Sequence, residues 1–162
     1  MSSLFSPTSD THLEIPEIGI VGGSSRGIRQ SIEPVSNGQA YYDVFGVLHH
    51  TSRPALQRFR TTIMGEDVWA PAFGDLWYGM DLTISAACDI IQPVSQAPCR
   101  PVVTGSLRYL DAQSNVLPSS TGATHFAFRP ILNVKVINWQ TEEDEYGSTV
   151  AWTIECWERG NA

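Results

Sequence analysis

Read for the alternation of apolar and polar positions, the chain divides in two. Residues 1–37 carry only short apolar groups such as "IGIV", set among Ser, Pro, Gly and Thr. Too little apolar surface is present there to offset ordering, so the stretch reads as an extended N-terminal arm with loops. From residue 38 the texture changes to period-two runs of β-branched and aromatic residues between turn signals, and no window of a dozen residues keeps a helical stripe. The expectation is a mainly β protein, an antiparallel sandwich or barrel-like domain over 38–162.

The runs can be placed individually. "QAYYDVFGVLHH" (39–50) and "LQRFRTTIMG" (56–65) read as strands joined by "TSRPA", whose Pro54 sets a turn. In "MDLTISAACDII" (80–91), Met80, Leu82, Ile84, Ala86 and Cys88 share a face opposite Asp81, Thr83, Ser85 and Asp89. That alternation describes an antiparallel strand with one face in water. "PVVTGSLRYLD" (101–111) is a further strand, and 111–124 is a polar connection. The clearest pattern is C-terminal, where 125–140 and 147–159 alternate on either side of the acidic turn "TEEDEY" and read as a hairpin. Val150, Trp152, Ile154 and Cys156 fall on its buried face, against Thr149, Thr153 and Glu155.

Length and charge narrow the functional classes. A chain of 162 residues is one domain by size and buries a core without staples. The net charge of −7, with a single lysine, argues against a broad basic surface for nucleic acid and against sequence-specific binding to it. No run approaches 18 apolar residues and the N-terminus lacks a basic region with an apolar signal core. The expectation is therefore a soluble protein made in the cytoplasm, without membrane insertion.

The candidate chemistry fails its physical tests. "GIVGGSSRGIRQ" (19–30) has the look of a dinucleotide-binding glycine turn, but from Gly23 the pattern runs to Gly27 and then Arg29, a large charged residue where a helix must pack closely. Pro34 and Asn37-Gly38 interrupt the helix that should follow. A Tyr-x-x-x-Lys pair is missing too, since the only lysine is Lys135 and position 131 is isoleucine. Cys88, Cys99 and Cys156 are odd in number and lack C-x-x-C spacing, so reduced, mostly buried thiols are expected rather than disulfides or a zinc site. His12, His49, His50 and His125 show no metal spacing, and the adjacent pair projects to opposite faces of a strand. The acidic run 142–145 lacks the spacing and glycine of a calcium loop and reads as a solvated hairpin tip. No cofactor and no catalytic residue is assigned.

One segment stands apart. In "EDVWAPAFGDLWYGMD" (66–81), Trp69, Phe73, Trp77 and Tyr78 crowd into a stretch broken by Pro71 and two glycines, so it is neither regular strand nor helix. The aromatics either plug one end of the β core or form a subunit contact, since Trp and Tyr dominate interface hot spots. The candidate contacts are Trp69, Phe73, Trp77 and Tyr78, with Phe5, Ile15 and Ile18 as arm anchors beside Leu4, Leu13, Ile20 and Val21.

"RFRTTIMGEDVWAPAFGDLWYGMDLTISAACDI" and "FRPILNVKVINWQTEEDEYGSTVAWTIECWE" resemble β-rich structural proteins of tailed-bacteriophage virions, of the tail or tail-tip ring type. The likeness runs from Arg58-Phe59-Arg60 through Pro71-Ala72-Phe73 and Gly79 to Cys88, then through Phe128-Arg129-Pro130 and Glu145-Tyr146-Gly147 to Trp152. It covers about two-thirds of the body and none of the arm. It implies a non-enzymatic virion subunit forming a ring, commonly six-fold, around the DNA channel, with itself and neighbouring tail proteins as partners. An acidic chain suits a lumen that must not grip phosphates. The alternatives are a capsid decoration or neck protein and, from another class, a small-ligand β-barrel or an enzyme on that scaffold. The last would need buried polar strand residues, for which only Asn133, Asn138 and Glu155 are candidates.

Overall fold

The computed structural model describes residues 11–19 and 27–160. It is mainly β, 46% strand and 4% helix, with antiparallel sheets of which one curls into a half-barrel. Eleven strands are described: β1 (Arg29–Val35), β2 (Ala40–Tyr42), β3 (Leu48–His50), β4 (Arg58–Asp67), β5 (Asp81–Ser85), β6 (Ile90–Pro93), β7 (Arg108–Leu110), β8 (Val116–Leu117), β9 (His125–Phe128), β10 (Ile131–Glu143) and β11 (Val150–Glu158). They form a five-stranded sheet in the order β1-β4-β11-β10-β5, a four-stranded sheet β6-β9-β7-β8, and a separate β2-β3 ribbon.

The five-stranded sheet follows from strict alternation. Ile63 of β4, Leu82 and Ile84 of β5, Leu132, Val134 and Val136 of β10, and Trp152, Ile154 and Cys156 of β11 lie in one buried cluster. Each is separated from the next on its strand by one outward residue, which is what a sheet buried on one face requires. A register shift between Val136 and Asn138 marks a β-bulge in β10, and it exposes Ile137. Gly65 lies directly opposite Trp152, and a Cβ there would stand 2.6 Å from the indole Cζ2. The missing side chain is what lets the indole lie flat across β4.

Two strand pairs pass from one sheet into the other. β5 and β10 pair in the larger sheet, while β6 and β9, next to them along the chain, pair in the smaller. Pro130, between β9 and β10, has no N–H to donate, but its carbonyl accepts from Ala86 N at 3.0 Å and so closes the corner. The run 125–140 is thus divided between two sheets, and of 101–111 only Arg108–Leu110 is strand. β8 lies inside the polar connection 111–124.

Within residues 1–37, read from the sequence as an arm, the described parts belong to the body. Leu13 and Ile15 are buried in the main cluster, and Ile18 packs against it. Glu14 bridges Ser85 through hydrogen bonds of 3.1 and 2.9 Å, which covers the outer edge of β5. β1 pairs with β4 from Arg29↔Met64 to Val35↔Arg58. The physical reason is the short Leu-Glu-Ile alternation at 13–15, which buries two side chains against a sheet already present. Residues 1–10 and 20–26, with Leu4, Phe5, Ile20 and Val21, lie outside the described residues. The chain after Gly27 is strand β1, where a dinucleotide turn would need a helix.

Candidate interaction surface

The run 39–50 is a hairpin rather than one strand. Its alternation is interrupted by "DVFG", which carries Asp at the first and Gly at the last position of a type I turn. Gly46 N donates to the Asp43 carbonyl at 3.0 Å, Asp43 N donates to the Val47 carbonyl at 3.0 Å, and Gly46 takes φ +77°. This is a type I turn followed by a left-handed glycine, the usual three-residue hairpin connection. The Asp43 carboxylate accepts from Phe45 N and Val47 N and sits 2.9 Å from His49 Nε2. The His49 contact first, and then the Val47 amide, hold its pKa below the usual carboxylate range. Tyr41 pairs with and stacks on His49, while His50 lies opposite Ala40, so the two histidines face opposite sides of the ribbon.

This ribbon leaves the large sheet at the β1–β4 turn, held at its base by Asn37 Nδ2 donating to the Arg53 carbonyl. It buries almost nothing. Val44 and Phe45 at its tip are 93% and 87% exposed, and Tyr41, Tyr42, Val47 and Leu48 are exposed as well. A two-stranded ribbon alone is marginal in water. Contiguous exposed apolar surface of this kind marks an interaction site.

The aromatic segment of residues 66–81 divides by direction. Phe73 is 3% exposed, with ring centroids 5.4 Å from Trp139 and 5.8 Å from Trp152, and Leu76 is buried beside it. A 3-10 turn, Phe73–Asp75, makes the inward placement, and Trp139 Nε1 donates to the Leu76 carbonyl at 3.1 Å. Trp69, Trp77 and Tyr78 point outward and are about two-thirds exposed (67%, 70% and 66%). As subunit contacts, therefore, Phe73 and Ile15 are corrected to core residues, because the apolar face of the sheet consumes both. Ile18 is partly buried against that core, Phe5 lies outside the described residues, and Trp69, Trp77 and Tyr78 remain available.

The smaller sheet carries an open groove of about 480 Å³ lined by Val94, Gln96, Pro98, Leu107, Tyr109, Ser120 and Phe126. Tyr109 and Phe126 are cross-strand partners and form its floor. No lining residue is charged. Elsewhere, a crevice of about 230 Å³ holds the Arg100 and Glu158 pair, whose guanidinium meets both carboxylate oxygens, at 2.7 Å for Nη2–Oε2. Phe59 N donates to the same carboxylate, and Arg100 lies 4.9 Å from the Phe59 ring centroid. Arg100 therefore ties the loop before β7 to the end of β11, with its own pKa raised chiefly by the Glu158 hydrogen bond. The pair is internally satisfied and is an architectural tie.

The remaining candidate chemistry is dispersed. Among the described residues, no three His, Cys, Asp or Glu side chains gather to hold a metal ion. Glu142 and Glu143 are paired in β10, and the turn proper starts at Asp144, whose carbonyl accepts from Gly147 N. Cys156 is buried, Cys88 half-buried and Cys99 exposed. Burial first raises all three thiols, Cys156 to about 12, which disfavours thiolate chemistry. Asn133 and Asn138 stand on exposed positions of β10, and half-buried Glu155 accepts from the Trp157 indole at 2.9 Å. Asn133 lines the crevice that holds Arg100 and Glu158.

No family model, curated protein or solved structure matches this chain.

Proposed function

We propose that this protein is a non-enzymatic structural subunit of a tailed-phage virion, assembling into a ring of the tail or tail tip around the DNA channel. One observation carries the assembly part of this reading: the β2–β3 ribbon holds six apolar or aromatic side chains, Tyr41, Tyr42, Val44, Phe45, Val47 and Leu48, in solvent. Such a projection has no role in monomer stability and fits a partner surface. Trp69, Trp77 and Tyr78 provide a second outward aromatic group of the residue types that anchor interfaces. The virion part rests on the sequence resemblance, and the net charge of −7 suits a channel through which DNA must slide.

Electron microscopy of the concentrated protein tests the reading. Closed rings with a central opening are expected. Particles of monomer size at every concentration would overturn it.

A further inference from the structure

The crevice at the start of β4 holds more positive charge than its own carboxylate neutralises. From this we infer that the protein binds a small monocarboxylic acid there, its carboxylate on the Arg58 guanidinium and its carbon chain against Pro101 and Ile131. Such a site goes beyond the assembly reading and does not depend on it.

The crevice lies where the start of β4, the end of β11 and the loop before β7 meet, and Arg58, Arg100, Asn133 and Glu158 supply its charged and amide groups. Two guanidiniums converge there on one carbonyl: Gln57 O accepts from Arg58 Nη1 at 2.8 Å and from Arg100 Nη2 at 3.1 Å. Like charges brought this close repel unless anions balance them. One carboxylate is present and Arg100 takes it, with Nη2 meeting Glu158 Oε2 at 2.7 Å. Arg58 is half-buried yet forms no ion pair among the described residues, in a chain with 17 acidic residues against 10 Lys and Arg. Of its five N–H groups, the Gln57 carbonyl uses one. Gly160 lies against the other side of the guanidinium at φ +71°, where a Cβ would stand 2.7 Å from Arg58 Nε.

Charge and shape select the ligand. Two guanidiniums and one carboxylate leave the crevice one positive charge in excess, which a single carboxylate cancels. A phosphate dianion would overshoot, beside Glu158. The planar fork of an arginine matches both oxygens of a carboxylate and pairs with them bidentately. Asn133 Oδ1 accepts from Thr83 Oγ1 at 3.4 Å, so Nδ2 is the end left to donate to the same anion. Pro101 and Ile131 give the lining an apolar side for the carbon chain. At about 230 Å³ the crevice is smaller than the roughly 300–1,000 Å³ of sites for drug-sized ligands, which suits an acid of a few carbons rather than a peptide.

Butyrate titrated into the isotope-labelled full-length chain tests this, with the arginine Nε–H resonances as readout. The Arg58 signal should move and saturate as one site in the millimolar range, while those of Arg29, Arg53 and Arg129 stay in place. Arg58→Gln removes the unpaired cation and leaves the Arg100–Glu158 pair, and should weaken binding at least about tenfold, read from the amide signals of residues 99–102 and 131–133. Arg58→Lys keeps the charge but loses the fork, and should fall between the two. Butyrate should raise the melting temperature of the unchanged protein and not that of Arg58→Gln, which separates lost binding from a folding defect. A shift that never saturates, affinity unchanged in Arg58→Gln, or inorganic phosphate bound as tightly as butyrate would overturn the proposal. A glutamate peptide with blocked ends bound as tightly as butyrate would overturn a small free acid as the ligand.

Discussion

Replacing Phe73 and Trp77 by alanine, one at a time, separates the two roles that the aromatic segment of residues 66–81 combines. Phe73 is 3% exposed and touches the rings of Trp139 and Trp152. Truncating a buried Phe costs about 3–5 kcal/mol. Two aromatic contacts worth roughly 0.5–1.5 kcal/mol each place the expected loss toward the upper end. For a domain of this size each kcal/mol moves the melting temperature about 2–4 °C, so Phe73→Ala should lower it by roughly 6–20 °C. Trp77, 70% exposed, touches Tyr78 at a centroid distance of 6.2 Å and lies outside the main cluster. Trp77→Ala should change stability by no more than about 0.5 kcal/mol, or about 2 °C. Scanning calorimetry on dilute protein reads both. Equal losses would refute the division of this segment into a core half and a surface half.

Gly65→Ala should destabilise by about 1–3 kcal/mol, because the new methyl meets the Trp152 indole with β4 and β11 locked in register; an unchanged denaturation midpoint would contradict that packing. Arg100→Ala leaves the Glu158 carboxylate, 8% exposed, without its cation and should cost about 3–5 kcal/mol, most of it recovered on adding Glu158→Gln. Urea titrations of the single and double variants check this, and no recovery would mean that Arg100 acts through packing alone. Cys156 supplies a pH signature: burial, aided by Glu155, pushes its thiol up to about 12, whereas an unfolded cysteine ionises near 9. Its stabilising contribution is complete below pH 9, and between about pH 9 and 12 the unfolded chain sheds a proton that the folded chain keeps. Stability should then fall by about 1.4 kcal/mol per pH unit from this group. Denaturation at pH 8 and pH 10.5 should show a shallower decline in Cys156→Ala; identical declines would show that the site does not hold the thiol protonated.

The parts of the fold legible in the sequence are those where one face is strictly apolar. Val150, Trp152, Ile154 and Cys156 are buried as their alternation requires, and so are Leu82, Ile84 and Ala86. The partition of 125–143 between two sheets was not legible, because the alternation runs on either side of Pro130 and only pairing in three dimensions decides which sheet receives each half. The 39–50 ribbon was hidden for a related reason. Its apolar residues look like core strand, and only Asp43 and Gly46, placed as a type I turn requires, betray the reversal. That turn is the signal that would have moved the interaction surface from Phe73 to Phe45. Leu13 and Ile15 stand out in the sequence as apolar anchors but not as core, because two buried residues in a turn-rich stretch produce no periodicity, although the sheet edge beside them supplies the burial.

Self-assembly is the central claim, and the mass of the native particle measures it directly. Mass spectrometry under non-denaturing conditions, repeated at rising protein concentration, should give one discrete multiple of the monomer mass for the unchanged chain. Phe45→Asp should return it to the monomer with its fold intact. Monomer mass for the unchanged protein at every concentration would contradict the central claim.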